Sequence, residues 1–131
     1  KKKKKQDLTQ SYPRIFFEGP EITIPENAMV SLSLVLNELA TNASKYGALS
    51  SNKGRIRIQW TIEAGDEAEQ IILIWSEKGT SEPLDTPPSS GFGSSLIDHS
   101  VKGNLQGEIV RHWRPEGLEC TIRFPVPELA D

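Results

Sequence analysis

Three groups of residues in this 131-residue chain have types and spacing that suit chemistry. The first is Glu38, Asn42 and Lys45, whose steps of four and three put them on one stripe of a helix. At about 100° per residue this stripe lies roughly 80–140° around the axis from Leu32, so it borders the apolar side rather than facing away from it. An acid, an amide and a cation aligned on a core edge suit a charged ligand accompanied by a metal. The same stripe would also serve as a solvated face with a Glu38–Lys45 contact. The second group is Glu77-Lys78-Gly79, directly after an apolar run. A carboxylate at such a strand end can accept a hydrogen bond from an exocyclic amine such as adenine N6. The third, Gly91-Phe92-Gly93, opens a helix, where free N–H groups and the helix dipole favour phosphate. Taken singly, the last two also read as a solvated acid and a turn-forming glycine pair.

The elements that must position these residues follow from periodicity. Leu32, Val35, Leu36, Leu39, Ala43 and Tyr46 recur at three- and four-residue steps, predicting one helix from about Pro25 to Tyr46 with those residues buried. Pro25 suits the first turn, and Gly47 is expected to close the helix as a left-handed cap. Before it, Arg14–Glu18 and Glu21–Ile24 read as strands around a Gly19-Pro20 turn. After the loop 48–54, Arg55–Ile62 alternates apolar and polar residues. Gln70–Trp75 is apolar throughout, as in a strand covered on both faces. A polar, proline-rich loop from Ser76 to Ser90 leads to a helix ending near Lys102. Leu105–Trp113 and Leu118–Val126 then form a hairpin about Arg114-Pro115-Glu116-Gly117. This order predicts an α+β domain: one sheet, mostly antiparallel, with helices on one face.

The chain is long enough for a single core, and 36% hydrophobic content with three tryptophans fits a soluble globular domain. No apolar run reaches the length of a membrane span and none reads as a signal peptide, so the expectation is a cytoplasmic domain without direct membrane insertion. The single cysteine, Cys120, excludes an intrachain disulfide and lies in a strand pattern, as a buried structural thiol would. Net charge is -3, of which Lys1–Lys5 contribute +5, leaving -8 for the rest. Residues 1–12 lack periodicity and read as a disordered or appended tail, with 13–131 as the domain. An acidic body without basic, aromatic-interleaved stretches argues against a nucleic-acid partner.

The three groups occur in an order that resembles a known family. Glu38-Leu39-Ala40-Thr41-Asn42-Ala43-Ser44-Lys45-Tyr46-Gly47-Ala48-Leu49-Ser50 resembles the N box of the ATP-binding catalytic domain of bacterial sensor histidine kinases, within the superfamily of gyrase and the heat-shock chaperones. Trp75-Ser76-Glu77 resembles the first glycine box of the HWE subgroup, and Gly91-Phe92-Gly93-Ser94-Ser95-Leu96-Ile97 the second. Trp113–Cys120 is similar to its closing hairpin, so the likeness runs from about Arg14 to Pro125.

The resemblance implies the Bergerat ATP-binding fold, a two-layer α/β sandwich, and use of ATP with Mg²⁺. It implies that Asn42 ligates the metal, that Lys45 neutralises phosphate, and that Tyr46 flanks it. Glu77 would read adenine N6, with Gly79 allowing the base to approach. Gly91, Gly93 and the N–H groups of Ser94 and Ser95 would cradle phosphate, with Phe92 and Leu96 in the same segment, and 80–90 would be the ATP lid. Glu38 would orient or deprotonate the attacking histidine. That histidine would belong to a separate dimerisation domain of the same kinase, with a response regulator downstream. Three departures stand out: Asn37 replaces the usual histidine before Glu38, Thr80 replaces a glycine, and no phosphoacceptor helix precedes the domain. His99 and His112 read as structural. The rival readings are a docking module of this fold without nucleotide, and an anti-sigma or serine kinase of the same superfamily.

Overall fold

A computed structural model of the chain describes residues 14–79 and 94–126, the side chains of residues 94 and 95 aside. The expectations for residues 1–12, for the lid and for Gly91-Phe92-Gly93 fall outside the described residues. Five strands form one sheet: β1 (Ile15–Glu18), β2 (Arg55–Glu63), β3 (Gln70–Lys78), β4 (Glu108–Arg114) and β5 (Gly117–Pro125). Their order is β1-β2-β3-β5-β4, with β1 parallel to β2 and every other pair antiparallel. The helices α1 (Glu26–Tyr46) and α2 (Ser94–His99) pack on one face, giving the expected two-layer α+β architecture.

α1 contains neither glycine nor proline, and its buried residues Ala28, Ser31, Leu32, Val35, Leu39 and Ala43 keep the three- and four-residue step. Glu26 in the first turn and Lys45 in the last both complement the helix dipole. The inward rows of the sheet supply the other half of the core: Ile58, Trp75 and Cys120 are cross-strand neighbours, followed by Trp60, Leu73 and Ile122. Cys120 is fully buried, and burial pushes its thiol up to about 12, which makes it inert as a nucleophile at neutral pH.

Several expectations are corrected. Glu21–Ile24 is not a strand; Pro20 and Pro25 bracket it, and its Ile22 and Ile24 pack onto the core edge instead. The Trp60 indole N–H donates to the Pro20 carbonyl at 2.7 Å and pins this segment. Tyr46 is 39% exposed rather than buried. Gly47 has φ -118° and ψ -145°, so it is not a left-handed cap, although its N–H does donate to Ala43 O at 3.0 Å. Among the described residues, helices cover β3 on one face only. On the other, Ile72 is shielded by its cross-strand neighbours Thr61 and Arg123, while Ile74 and Ser76 are half-buried. A central strand can therefore hide an apolar residue between flanking side chains without a second layer. Finally, α2 gives way at Ser100 to a π-helical turn (Ser100–Asn104), and β4 starts at Glu108 rather than Leu105. Leu105 is buried as the anchor of that turn, and Gln106 at φ 57° redirects the chain into β4.

Candidate functional site

Alternation along β3 points Ile71, Leu73, Trp75 and Glu77 toward the helices. Glu77 thus extends an apolar row, and it is 4% exposed. Both its oxygens are held. Oε1 accepts the Ala48 backbone N–H at 3.0 Å, and Oε2 accepts the Trp75 indole N–H at 2.8 Å. Burial raises its pKa above the usual carboxylate range, with the two N–H bonds pulling partly in the other direction. A carboxylate has about four lone-pair sites, so two remain for a ligand's donor.

Glycines surround this carboxylate for steric reasons. A Cβ on Gly47 would overlap Glu77 Oε1, so the absence of a side chain at the end of α1 is what lets the acid approach. A Cβ on Gly117, at φ +146°, would overlap the Glu77 backbone from the β5 side. Gly79 also has positive φ, +80°, and a Cβ there would stand 2.9 Å from Lys53 O. Its carbonyl accepts the Ser51 hydroxyl at 2.8 Å, which ties the end of β3 to the loop after α1. Arg14 braces that loop from below: it donates through Nε to Gly54 O at 3.0 Å and through Nη2 to Ala48 O at 3.1 Å, with Ser51 O as a further partner.

The stripe on α1 lies as expected on the border of the core. Glu38 and Asn42 are half-buried, while Lys45 and Asn37 are exposed. Glu38 and Lys45 form no ion pair with each other among the described residues, so the stripe is not a self-neutralised solvent face. The structure therefore joins Glu77 to the end of α1 through Gly47 and Ala48. It also places Glu38, Asn42, Lys45 and Tyr46 along the preceding two turns. On α2, Leu96 is exposed and Ile97 is buried. Asp98 pairs with Arg111 of β4 at 3.0 Å and fastens the helix to the sheet.

Sequence reasoning missed Trp75 as a donor, the steric role of Gly47 and Gly117, and the brace from Arg14. Only the first had a local signal: Trp75 and Glu77 are two apart on a strand and so share a face. Trp75→Phe keeps most of the buried bulk and deletes the indole N–H. Stability should fall by about 1–3 kcal/mol. The folded-state pKa of Glu77 is raised, so its contribution to stability is fully present below about 4.5 and lost as pH rises through the folded value. Losing a donor to the charged form steepens that loss, so urea unfolding should show a larger defect near pH 7 than near pH 4. An equal defect at both would mean that the indole does not serve the carboxylate.

No protein-family model matches the chain. Blue-light-activated histidine kinase 1 of Erythrobacter litoralis is 40% identical over 115 residues, which is 86% of this chain and 31% of that protein. The blue-light-activated histidine kinase of Rhizobium johnstonii is 35% identical over 86% of this chain and 32% of its own length. The chain thus spans between about a quarter and a third of the length of the curated relatives it matches. Among solved structures, the histidine kinase domain of Erythrobacter litoralis EL346 superposes with a TM-score of 0.68 at 19% identity, covering 86% of this chain and 51% of that one. The nucleotide-free catalytic domain of the histidine kinase ThkA gives 0.65 at 17% identity, covering 86% of this chain and 77% of that one. The chain is therefore a homologue of the histidine kinases over 86% of its length, and it has the fold of their catalytic domain.

Proposed function

We propose that this chain is the ATP-binding catalytic domain of a two-component histidine kinase of the HWE type, and that it transfers the γ-phosphoryl group of MgATP to a histidine on a separate dimerisation domain. The observation that carries this reading is Glu77: a buried acid at the end of an apolar strand row, fixed by two N–H donors, with acceptor capacity to spare. Adenine's exocyclic amine is a donor of the kind that such a carboxylate recognises, whereas guanine presents a carbonyl there.

The donors on α1 fit the accompanying metal and phosphates. Among the described residues no cluster of three His, Cys, Asp or Glu side chains could enclose a metal. A hard cation held chiefly by phosphate oxygens needs only one or two protein oxygens, and the half-buried amide of Asn42 offers one. Bound MgATP supplies the transferable phosphoryl group. Lys45 offsets phosphate charge with a compact ammonium, and Tyr46 flanks the same region from the last turn of α1. Glu38, one turn before Asn42, orients the attacking imidazole or accepts its proton. Gly79, Leu96 and, by the motif, Gly91, Phe92, Gly93, Ser94 and Ser95 complete the nucleotide site. The protein's contribution is positioning and charge stabilisation.

Phosphoryl flow would continue from the histidine to a response regulator; ThkA has been solved in complex with the response regulator TrrA. No helix among the described residues is long and apolar enough to cross a membrane, which accords with a cytoplasmic domain. The test is to mix the chain with γ-labelled ATP, Mg²⁺ and a histidine-bearing dimerisation domain from a related kinase. Acid-labile, base-stable label on that domain is the expected result. Label on a serine would point to a serine kinase instead.

A further inference from the structure

The face of the sheet away from the helices carries a concavity of about 550 Å³ at the β1–β3 end. Four cations line it: Lys53, Arg55, Arg57 and Lys78. All four are exposed, and pairing register places Lys78 opposite Arg55 and Ser76 opposite Arg57. Among the described residues only Arg57 is engaged. It lies 3.4 Å from Glu18 and 6.0 Å from the Phe16 ring centroid. Glu119, the one acid among the described lining residues, is already bound to Arg114 at 2.8 Å. Lys53, Arg55 and Lys78 have no ion-pair partner among the described residues. This cluster stands on a body whose charge beyond Lys1–Lys5 is -8, so it is a local reversal of sign. A concave surface lined by one sign of charge concentrates ligands of the other.

We infer that this open face of β1–β3 is a docking surface for an extended acidic segment of a partner protein, with carboxylates on alternate residues. Alternate residues of an extended chain project on one side with a repeat of about 6.6–6.8 Å. Arg55 and Arg57, two apart on β2, leave the strand on one face with that same backbone period. Their planar forks match carboxylates two bonds at a time; Lys78, opposite Arg55, widens the charged strip, and Lys53, two residues before Arg55, lengthens it. A single aromatic among the described lining residues, Phe16, gives too few stacking platforms for a nucleic acid strand. Lys78 and Ser76 point away from Glu77, which faces the helices, so the acidic segment and a nucleotide would bind opposite faces of β3.

The test is fluorescence anisotropy with a labelled peptide of alternating Glu and Ser, in about 50 mM salt, where exposed charges are weakly screened. Arg55→Glu combined with Lys78→Glu should weaken binding at least about tenfold, at about two- to fivefold per exposed pair lost, and more with reversal. Arg123→Glu, on the same face but outside the concavity, should change it by less than about twofold. Every variant keeps Lys1–Lys5, so the lysine run cancels in the comparison. A peptide of the same composition with its Glu residues consecutive should bind several-fold more weakly. The proposal is overturned if no peptide binds, if Arg123→Glu has the same effect as the double variant, or if an oligonucleotide of equal charge binds more tightly. Self-association that Arg55→Glu abolishes would also overturn it, by making the acidic turn Glu63–Glu69 of a second copy the occupant.

Discussion

Asn42→Ala should lower the affinity for an ATP analogue in the presence of Mg²⁺ by about 100-fold, which is about 2.7 kcal/mol, while leaving the fold intact. The expectation follows from a site with few protein ligands. Glu38, Asn42 and Lys45 share one stripe of α1, and of these Asn42 has the neutral oxygen that a phosphate-bridged magnesium would take. Alanine propagates a helix better than asparagine, and Asn42 is only half-buried, so the far-UV spectrum and the unfolding midpoint should change little. Affinity without Mg²⁺ should be much less affected. If calorimetry found unchanged affinity with Mg²⁺, Asn42 would be removed from the site.

Glu77→Gln should narrow the preference for ATP over GTP by about 10–100-fold, the range expected when a buried hydrogen-bonding group loses or mismatches its partner. Glutamine keeps the shape of the side chain but offers one oxygen for the two N–H donors, so its amino group faces one of them and the variant loses some stability as well. The amino group could donate to guanine's carbonyl, so GTP should gain where ATP loses. Glu77→Ala would be blunter, since it leaves the Ala48 N–H and the Trp75 indole N–H without an acceptor. It should therefore lower stability as well as affinity. Equal losses for ATP and GTP in the glutamine variant would mean that Glu77 does not read the base. The glutamine variant also lacks a titrating group here. It should lose the decline in stability expected of the unsubstituted chain as pH rises from about 4.5 through the raised pKa of Glu77.

What could be read from the sequence was whatever lay within one element. The three- and four-residue step of Leu32, Val35, Leu39 and Ala43 specified α1, and alternation from Ile56 to Trp60 specified β2. The Pro115-Glu116 turn specified the β4–β5 hairpin, whose Gly117 has positive φ. The stripe of Glu38 and Asn42 on the core border followed from helix geometry alone. Long-range relations were not legible. Gly47 reads as a helix cap, but its neighbour is a carboxylate thirty residues later. Arg14 reads as part of a strand, yet it organises carbonyls 34 to 40 residues away. β1 could be recognised as a strand, but its parallel pairing to β2 across α1 could not. Glu21–Ile24 has strand composition without a partner, because its two isoleucines are consumed by packing at the start of α1.

The central claim is that Glu77 and the α1 stripe together form a nucleotide site, and the most direct measurement is a calorimetric titration of the chain with a non-hydrolysable ATP analogue, with and without Mg²⁺. The account predicts saturable binding that depends on Mg²⁺. Absence of binding at about millimolar nucleotide, where even an affinity of about -4 kcal/mol would register, would contradict it and leave the fold serving as a docking module.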